Sequence, residues 1–168
     1  MVLTKTEFVS ALQNEVHILL HLASKIDPAK LDYRPTPKQR SIVELLKYLS
    51  MMGPALVQAA KAGAFDGAAW TAAEQAAAAQ SYDQTLAAVA AQPATYAALL
   101  ADVSDGDLRA DIDPFGAGTS SRGAFLVTQV LCGCAAYRTQ LFLYLKACGR
   151  EELGTSNLWR GADAPATV

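Results

Sequence analysis

Thr4-x-x-Glu7, Ser41-x-x-Glu44 and Ser81-x-x-Gln84 each set a hydroxyl residue three places before a glutamate or glutamine and just ahead of an apolar run. In this arrangement each side chain accepts a hydrogen bond from a backbone N–H that the first helical turn leaves unpaired, so each motif marks a helix start. Behind the first, Phe8, Leu12, Leu19, Leu22 and Ile26 recur at helical spacing and predict a helix to about Ser24 or Ile26, stopped by Pro28. The prolines of Tyr33-Arg-Pro-Thr-Pro-Lys38 each fix φ, lack a donor and push the preceding residue out of the helical region, which predicts a short stiff connector. The second helix carries Ile42, Leu45, Leu46, Leu49 and Leu56 inward and stops near Gly63, a residue suited to a left-handed helix end.

Alanine dominates the middle third, including the run Ala76 to Ala79, which favours helix but buries little surface per residue. The third motif opens a helix through Leu86, Val89, Tyr96, Leu99 and Leu100 to about Val103, with a kink or break expected at Pro93. Asp105-Gly-Asp turns the chain, and residues 111–121 read as loop or a small extended excursion. A fourth helix is predicted from about Ser121 to Cys148, closed by Gly149. The stretch Thr155 to Gly161 shows no period, yet Leu158 and Trp159 are apolar enough to bury, so it is expected to fold back as a strap before a disordered end. The sum is an all-α four-helix bundle forming one domain over residues 1–168, with about 155–168 as strap and tail.

The 168 residues and 52% hydrophobic content suffice for one sizeable core. A net charge of −2 with scattered Lys and Arg predicts neither a nucleic-acid nor a membrane-surface partner. No signal-peptide pattern or apolar stretch of spanning length is present, so the expected location is cytoplasmic. Cys132, Cys134 and Cys148 are an odd count in an otherwise Cys-free chain, and are expected to be reduced.

Two segments carry a resemblance. Leu45-Leu46-Lys47-Tyr48-Leu49 and Gly133-Cys134-Ala135-Ala136-Tyr137-Arg138-Thr139-Gln140-Leu141 are similar to the helix-two and helix-four signatures of the DinB-like, or YfiT-like, superfamily. The resemblance spans nearly the whole chain. It implies an up-down-down-up four-helix bundle with short extra segments, and commonly a homodimer. It also implies metal-dependent thiol S-transfer, isomerase or hydrolase chemistry at histidine ligands, whose positions fall here on Tyr48, Gly133 and Tyr137. Only Arg138, Gln140 and Leu141 carry over from the fourth-helix signature. Glycine has no side chain, and a free phenol keeps its proton to about pH 10, so no cofactor is expected at these positions. The two phenols and the missing glycine side chain instead suggest an inter-helix cavity for a small molecule, with Glu15, Arg138 and Gln140 as further candidates.

Other side chains offer weaker chemistry. His17 and His21, at i and i+4, share one helix face and are the least poor ligands for an alternative Zn or Ni site. Glu15 falls inside the apolar stripe of the first helix, where a carboxylate needs a partner such as Arg138 or lines a cavity. Cys132 and Cys134 lie about 200° apart around a regular helix, and Cys148 roughly 20 Å further along it, so they do not share a metal; a thiol sensor would need one of them exposed and acidic. No Ser or Cys is expected to have a histidine partner in that pocket, and no Gly-rich phosphate loop of the P-loop or dinucleotide type is present. The fourth helix, apolar on several sides at Phe125, Leu126, Val130, Leu131, Leu141, Phe142, Leu143 and Tyr144, suggests that a second subunit covers its outer face. Three functions follow as alternatives: a metal-free small-molecule binder, a metalloenzyme with relocated ligands, and a structural dimer module or redox sensor.

Overall fold

The computed structural model describes residues 3–165. Four helices form the frame: α1 (Lys5–Ala23), α2 (Ile42–Ala62), α4 (Tyr82–Leu99) and a composite fourth helix. The last is built from α5 (Arg122–Phe125), a π-helical stretch (Leu126–Leu131) and α6 (Cys132–Ala147). A short α3 (Gly67–Ala78) lies against α2, a two-residue hairpin pairs β1 (Asp111–Ile112) with β2 (Ser120–Ser121) antiparallel, and α7 (Thr155–Arg160) closes the described chain.

The three capping boxes form as expected. The carboxylate or amide oxygen of Glu7, Glu44 and Gln84 accepts from the backbone N–H of Thr4, Ser41 and Ser81, each at 2.8 Å, while the hydroxyls accept in return from the third residue of the helix. Gly63 ends α2 at φ 71. Helix directions follow from contacts between ends. The Lys5 N–H donates to Asp105 Oδ1 at 2.6 Å, so α1 begins where α4 has ended, whereas Lys61 Nζ reaches Leu99 O at 3.0 Å, so α2 and α4 end together. Arg122 Nε donates to Ala60 O at 3.0 Å, placing the start of the fourth helix at the end of α2, and Arg150 reaches Lys25 O, joining the ends of the fourth helix and α1. The result is up-down-down-up. α1 and α2 each pack against both α4 and the fourth helix, enclosing Leu12, Leu22, Leu45, Leu46, Tyr96, Leu126 and Leu141, all nearly inaccessible to water.

Expectations for α4 and for the stretch after Gly154 are corrected. α4 runs unbroken through Pro93 and ends at Leu99, not near Val103. The fourth helix covers the predicted range, and its π-helical stretch rotates the following residues relative to the first turn. The stretch after Gly154 is helical, and Trp159, expected to bury, is 64% exposed while Leu158 is half-buried. Its indole lies beside Arg138, with the guanidinium carbon 5.5 Å from the ring centroid, so a cation contact rather than burial accounts for its place. The disordered end expected for the tail falls partly on residues 166–168, outside the described residues. The alanine-rich α3 is as thinly packed as its composition predicts, with Ala77 its one buried residue.

One feature of α2 orders the interior. Pro54 has no N–H, so the Ser50 carbonyl four residues earlier loses its helical donor. Gln92 of α4 supplies the replacement: its Nε2 donates to Ser50 O at 3.0 Å and to Leu49 O at 2.8 Å. Beside it, Gly53 lets the Tyr96 ring come close, and the Tyr96 hydroxyl donates to Gln92 Oε1 at 3.4 Å.

Candidate functional site

Tyr48 projects from α2 and Tyr137 from α6, and the bundle brings the two rings together edge to face, centroids 5.1 Å apart. Gly133, one turn before Tyr137, faces Met52 of α2, whose Sδ and Cε would lie 3.6 Å from a β-carbon placed there. The three positions singled out by the family resemblance therefore converge, and Met52 occupies the space that a missing side chain leaves. Burial, and then the neighbouring Tyr137, push the Tyr48 phenol up to about 12, further from the phenolate a metal would need. A thioether, two phenols and a glycine do not match a divalent cation's preference for imidazole or carboxylate. Among the described residues no three His, Cys, Asp or Glu side chains gather so as to hold a metal ion.

The open space near Tyr48 lies on its outer side. A cleft of about 150 Å³ between α2 and α3 is lined by Arg40, Lys47, Tyr48, Met51 and Glu74, among others, and does not reach Tyr137 or Gly133. Arg40 lays its guanidinium over the Tyr48 ring at 3.9 Å from the centroid, an attraction between a cation and the ring's negative face. Glu44 is already engaged by its capping bond and by Arg34 at 3.1 Å, and Lys47 donates to Ala78 O at 2.8 Å. Arg40 and Glu74 form no ion pair among the described residues. Trp70 of α3 meets Tyr48 edge to face, centroids 6.2 Å apart, and the ring contacts continue through Phe65, Phe115 and Phe125 at tilted angles. Sequence reasoning missed Arg40, Trp70 and Glu74. Glu74 carried a signal, as the one charged residue between Asp66 and Asp83.

Glu15 and Arg138 meet in the interior. Arg138 donates from Nε to Glu15 Oε2 at 2.6 Å and from Nη2 to Oε1 at 3.1 Å, a two-pronged pair between side chains only 4% and 12% exposed. Its remaining nitrogen donates to the Leu158 carbonyl, so the same guanidinium ties α7 to the bundle. Glu15 borders a void of about 10 Å³ with Gln92 and Cys134, room for about one water. Gln140 is not brought to this group; it donates to the Tyr144 hydroxyl. Burial, with the Glu15 carboxylate second, pushes the Cys134 thiol up to about 12, and burial also raises that of Cys148, so both stay protonated at neutral pH. Cys132 is exposed.

His17 and His21 lie against α7 and the residues just after it. Gly161, left-handed at φ 61, sits so close that a β-carbon would fall 2.7 Å from His17 Cδ2. Asn157 Nδ2 lies 3.0 Å from His21 Nε2 and donates to Asp163 Oδ1 at 2.9 Å. With an amide N–H pointing at it, Nε2 acts as acceptor, which assigns the neutral ring. Burial, then Lys25, lower the His21 pKa against the opposing pull of Asp163. A lowered histidine pKa means that the folded form binds fewer protons than the unfolded chain, so this contribution is intact above the unfolded value, about 6.5, and fades as pH falls below it. Amide exchange across α7 at pH 7.5 and 5.5, corrected for intrinsic rates, should show lower protection at the acid pH, and a His21→Ala variant should lose that dependence; equal protection in the parent at both values would contradict this account.

No protein-family model matches the chain, and no curated protein matches it. Among solved structures, the crystal structure of the DinB-like protein YjoA from Bacillus subtilis superposes with a TM-score of 0.67, covering 88% of this chain and 95% of that one at 20% identity. With the up-down-down-up order read from the helix ends, that superposition gives this chain the DinB-like fold.

Proposed function

We propose that this protein binds a small molecule in the α2–α3 cleft and works without a divalent metal at Tyr48, Gly133 and Tyr137. The observation that carries this reading is the Arg40 guanidinium stacked on Tyr48 across a cleft that also holds Glu74. A cation and an anion around an aromatic floor suit a ligand bearing both charges, and about 150 Å³ is comparable to an engineered cavity that holds benzene. The ligand class is therefore of free amino-acid size. Titrating the labelled protein with a panel of amino acids should move α2 and α3 amide resonances saturably, and Tyr48→Ala and Glu74→Gln should each abolish the response. Elemental analysis of native, untagged protein purified without chelator should find substoichiometric Zn and Ni. Near-stoichiometric metal that vanishes in the His17→Ala, His21→Ala double variant would replace this reading with relocated ligands and thiol transfer.

The working unit on this reading is a homodimer. The outer face of α6 exposes Cys132, Ala136, Thr139 and Leu143 at helical spacing with no charge, and Leu143 is 57% exposed. Small residues allow a second helix to approach closely, and a cyclic pair would bury both copies of the stripe. Sedimentation at micromolar concentration should give twice the 17.7 kDa of the chain, and Ala136→Glu should return it to one; a parent that sediments as a single chain refutes the dimer.

A further inference from the structure

A hollow larger than the tyrosine cleft lies at the other end of the fourth helix, on its α1 side, and shares no lining residue with that cleft. It encloses about 810 Å³, within the range of pockets that take drug-sized ligands. Leu3, Phe8 and Leu108 line it together with Leu126, Val127 and Leu131 of the π-helical stretch. π-helical segments recur at functional sites, and here the wide turn helps shape one side of the pocket.

Among the described residues a single charged side chain, Arg109, lines this apolar space. It is exposed and forms no ion pair among the described residues. The turn that carries it is fixed in advance. Arg122 donates from Nη1 to Asp107 O at 2.9 Å and from its backbone N–H to Ala110 O at 2.8 Å, while the Asp107 carboxylate accepts from Ser104 N at 2.8 Å and Oγ at 2.7 Å. Leu108 and Arg109 thus sit between two anchored residues, so little ordering remains for a ligand to impose.

We propose that this pocket binds a medium-chain carboxylate, its alkyl tail among Phe8, Leu126, Val127 and Leu131 and its head group on Arg109. The tail removes from water the apolar surface that the pocket leaves open, and each added methylene strengthens binding by up to about fourfold while space lasts. The head group meets the one cation among the described lining residues, which separates carboxylates from alcohols of equal length.

Calorimetric titration of the full chain with hexanoate, octanoate, decanoate and octanol tests both halves of the proposal, and amide shifts locate the site. Affinity should climb from hexanoate to decanoate, with shifts confined to residues 3–8, 107–109 and 121–131. Arg109→Gln, a change at an exposed side chain, should weaken octanoate about tenfold and leave octanol unchanged. Val127→Trp should weaken both ligands by filling the pocket, with thermal melting as the check on folding. Octanoate that produces no saturable heat, an unchanged octanoate affinity in Arg109→Gln, or shifts that map to the α2–α3 cleft would each overturn it.

Discussion

Replacing Arg138 with methionine should cost about 3–5 kcal/mol of folding stability, the largest loss expected from any single substitution considered for this chain. The methionine would fill much of the same volume, so the cost does not come from a cavity. It comes from the Glu15 carboxylate, left 12% exposed without the two donors that now hold it, and from the Leu158 carbonyl, which loses the third. For a chain of this length such a loss lowers the melting temperature by roughly 10 °C or more. The Glu15→Leu, Arg138→Met double variant should regain most of it, because removing both charges removes the unpaired one. Urea midpoints for the two single variants and the double variant give the coupling directly. An Arg138→Met variant within about 1 kcal/mol of the parent would mean that Glu15 finds water in the folded state.

The second large effect is expected from the smallest change, Gly53→Ala. In an exposed helix this substitution would stabilise by about 0.5–1 kcal/mol. Here the new β-carbon would stand 2.0 Å from the Tyr96 hydroxyl oxygen and 3.0 Å from Cζ. Tyr96 has no exposed surface and therefore nowhere to swing, so α2 and α4 must part, at a net cost of about 2–3 kcal/mol. Tyr96→Phe removes the atom at 2.0 Å, so in that background the alanine should cost less than half as much. An equal cost in both backgrounds would place the strain elsewhere in α2.

What could be read in advance was whatever local chemistry decides. The capping boxes at Thr4, Ser41 and Ser81 set helix starts within a few bonds, and the stripe of Ile42, Leu45, Leu46 and Leu49 set which face of α2 turns inward. The bundle order could be reached through the two family-like segments. Trp159 could not be placed, since its exposed position depends on an arginine 21 residues away that is itself held by Glu15. The cleft was missed for a similar reason: it needs α3 laid against α2, and an alanine-rich helix carries almost no pattern to say which side docks. Tyr48 and Tyr137 were legible as a pair, whereas Met52 opposite Gly133 required knowing how far α2 stands from α6.

α4 has a similar difficulty in folding. Its alanines at 87, 88, 90, 91, 94, 97 and 98 give it a nearly uniform surface, and a uniform surface packs almost equally well after sliding along its neighbour by one turn. The proline in α2 removes that freedom. It exposes one unsatisfied carbonyl at one height in the core, and α4 carries one buried side-chain amide able to meet it. A slide of a single turn, about 5.4 Å, would leave both groups unpaired in the interior, a cost of about 1–3 kcal/mol for each. Pro54, which weakens its own helix, thereby acts as a detent that sets the height of the helix beside it.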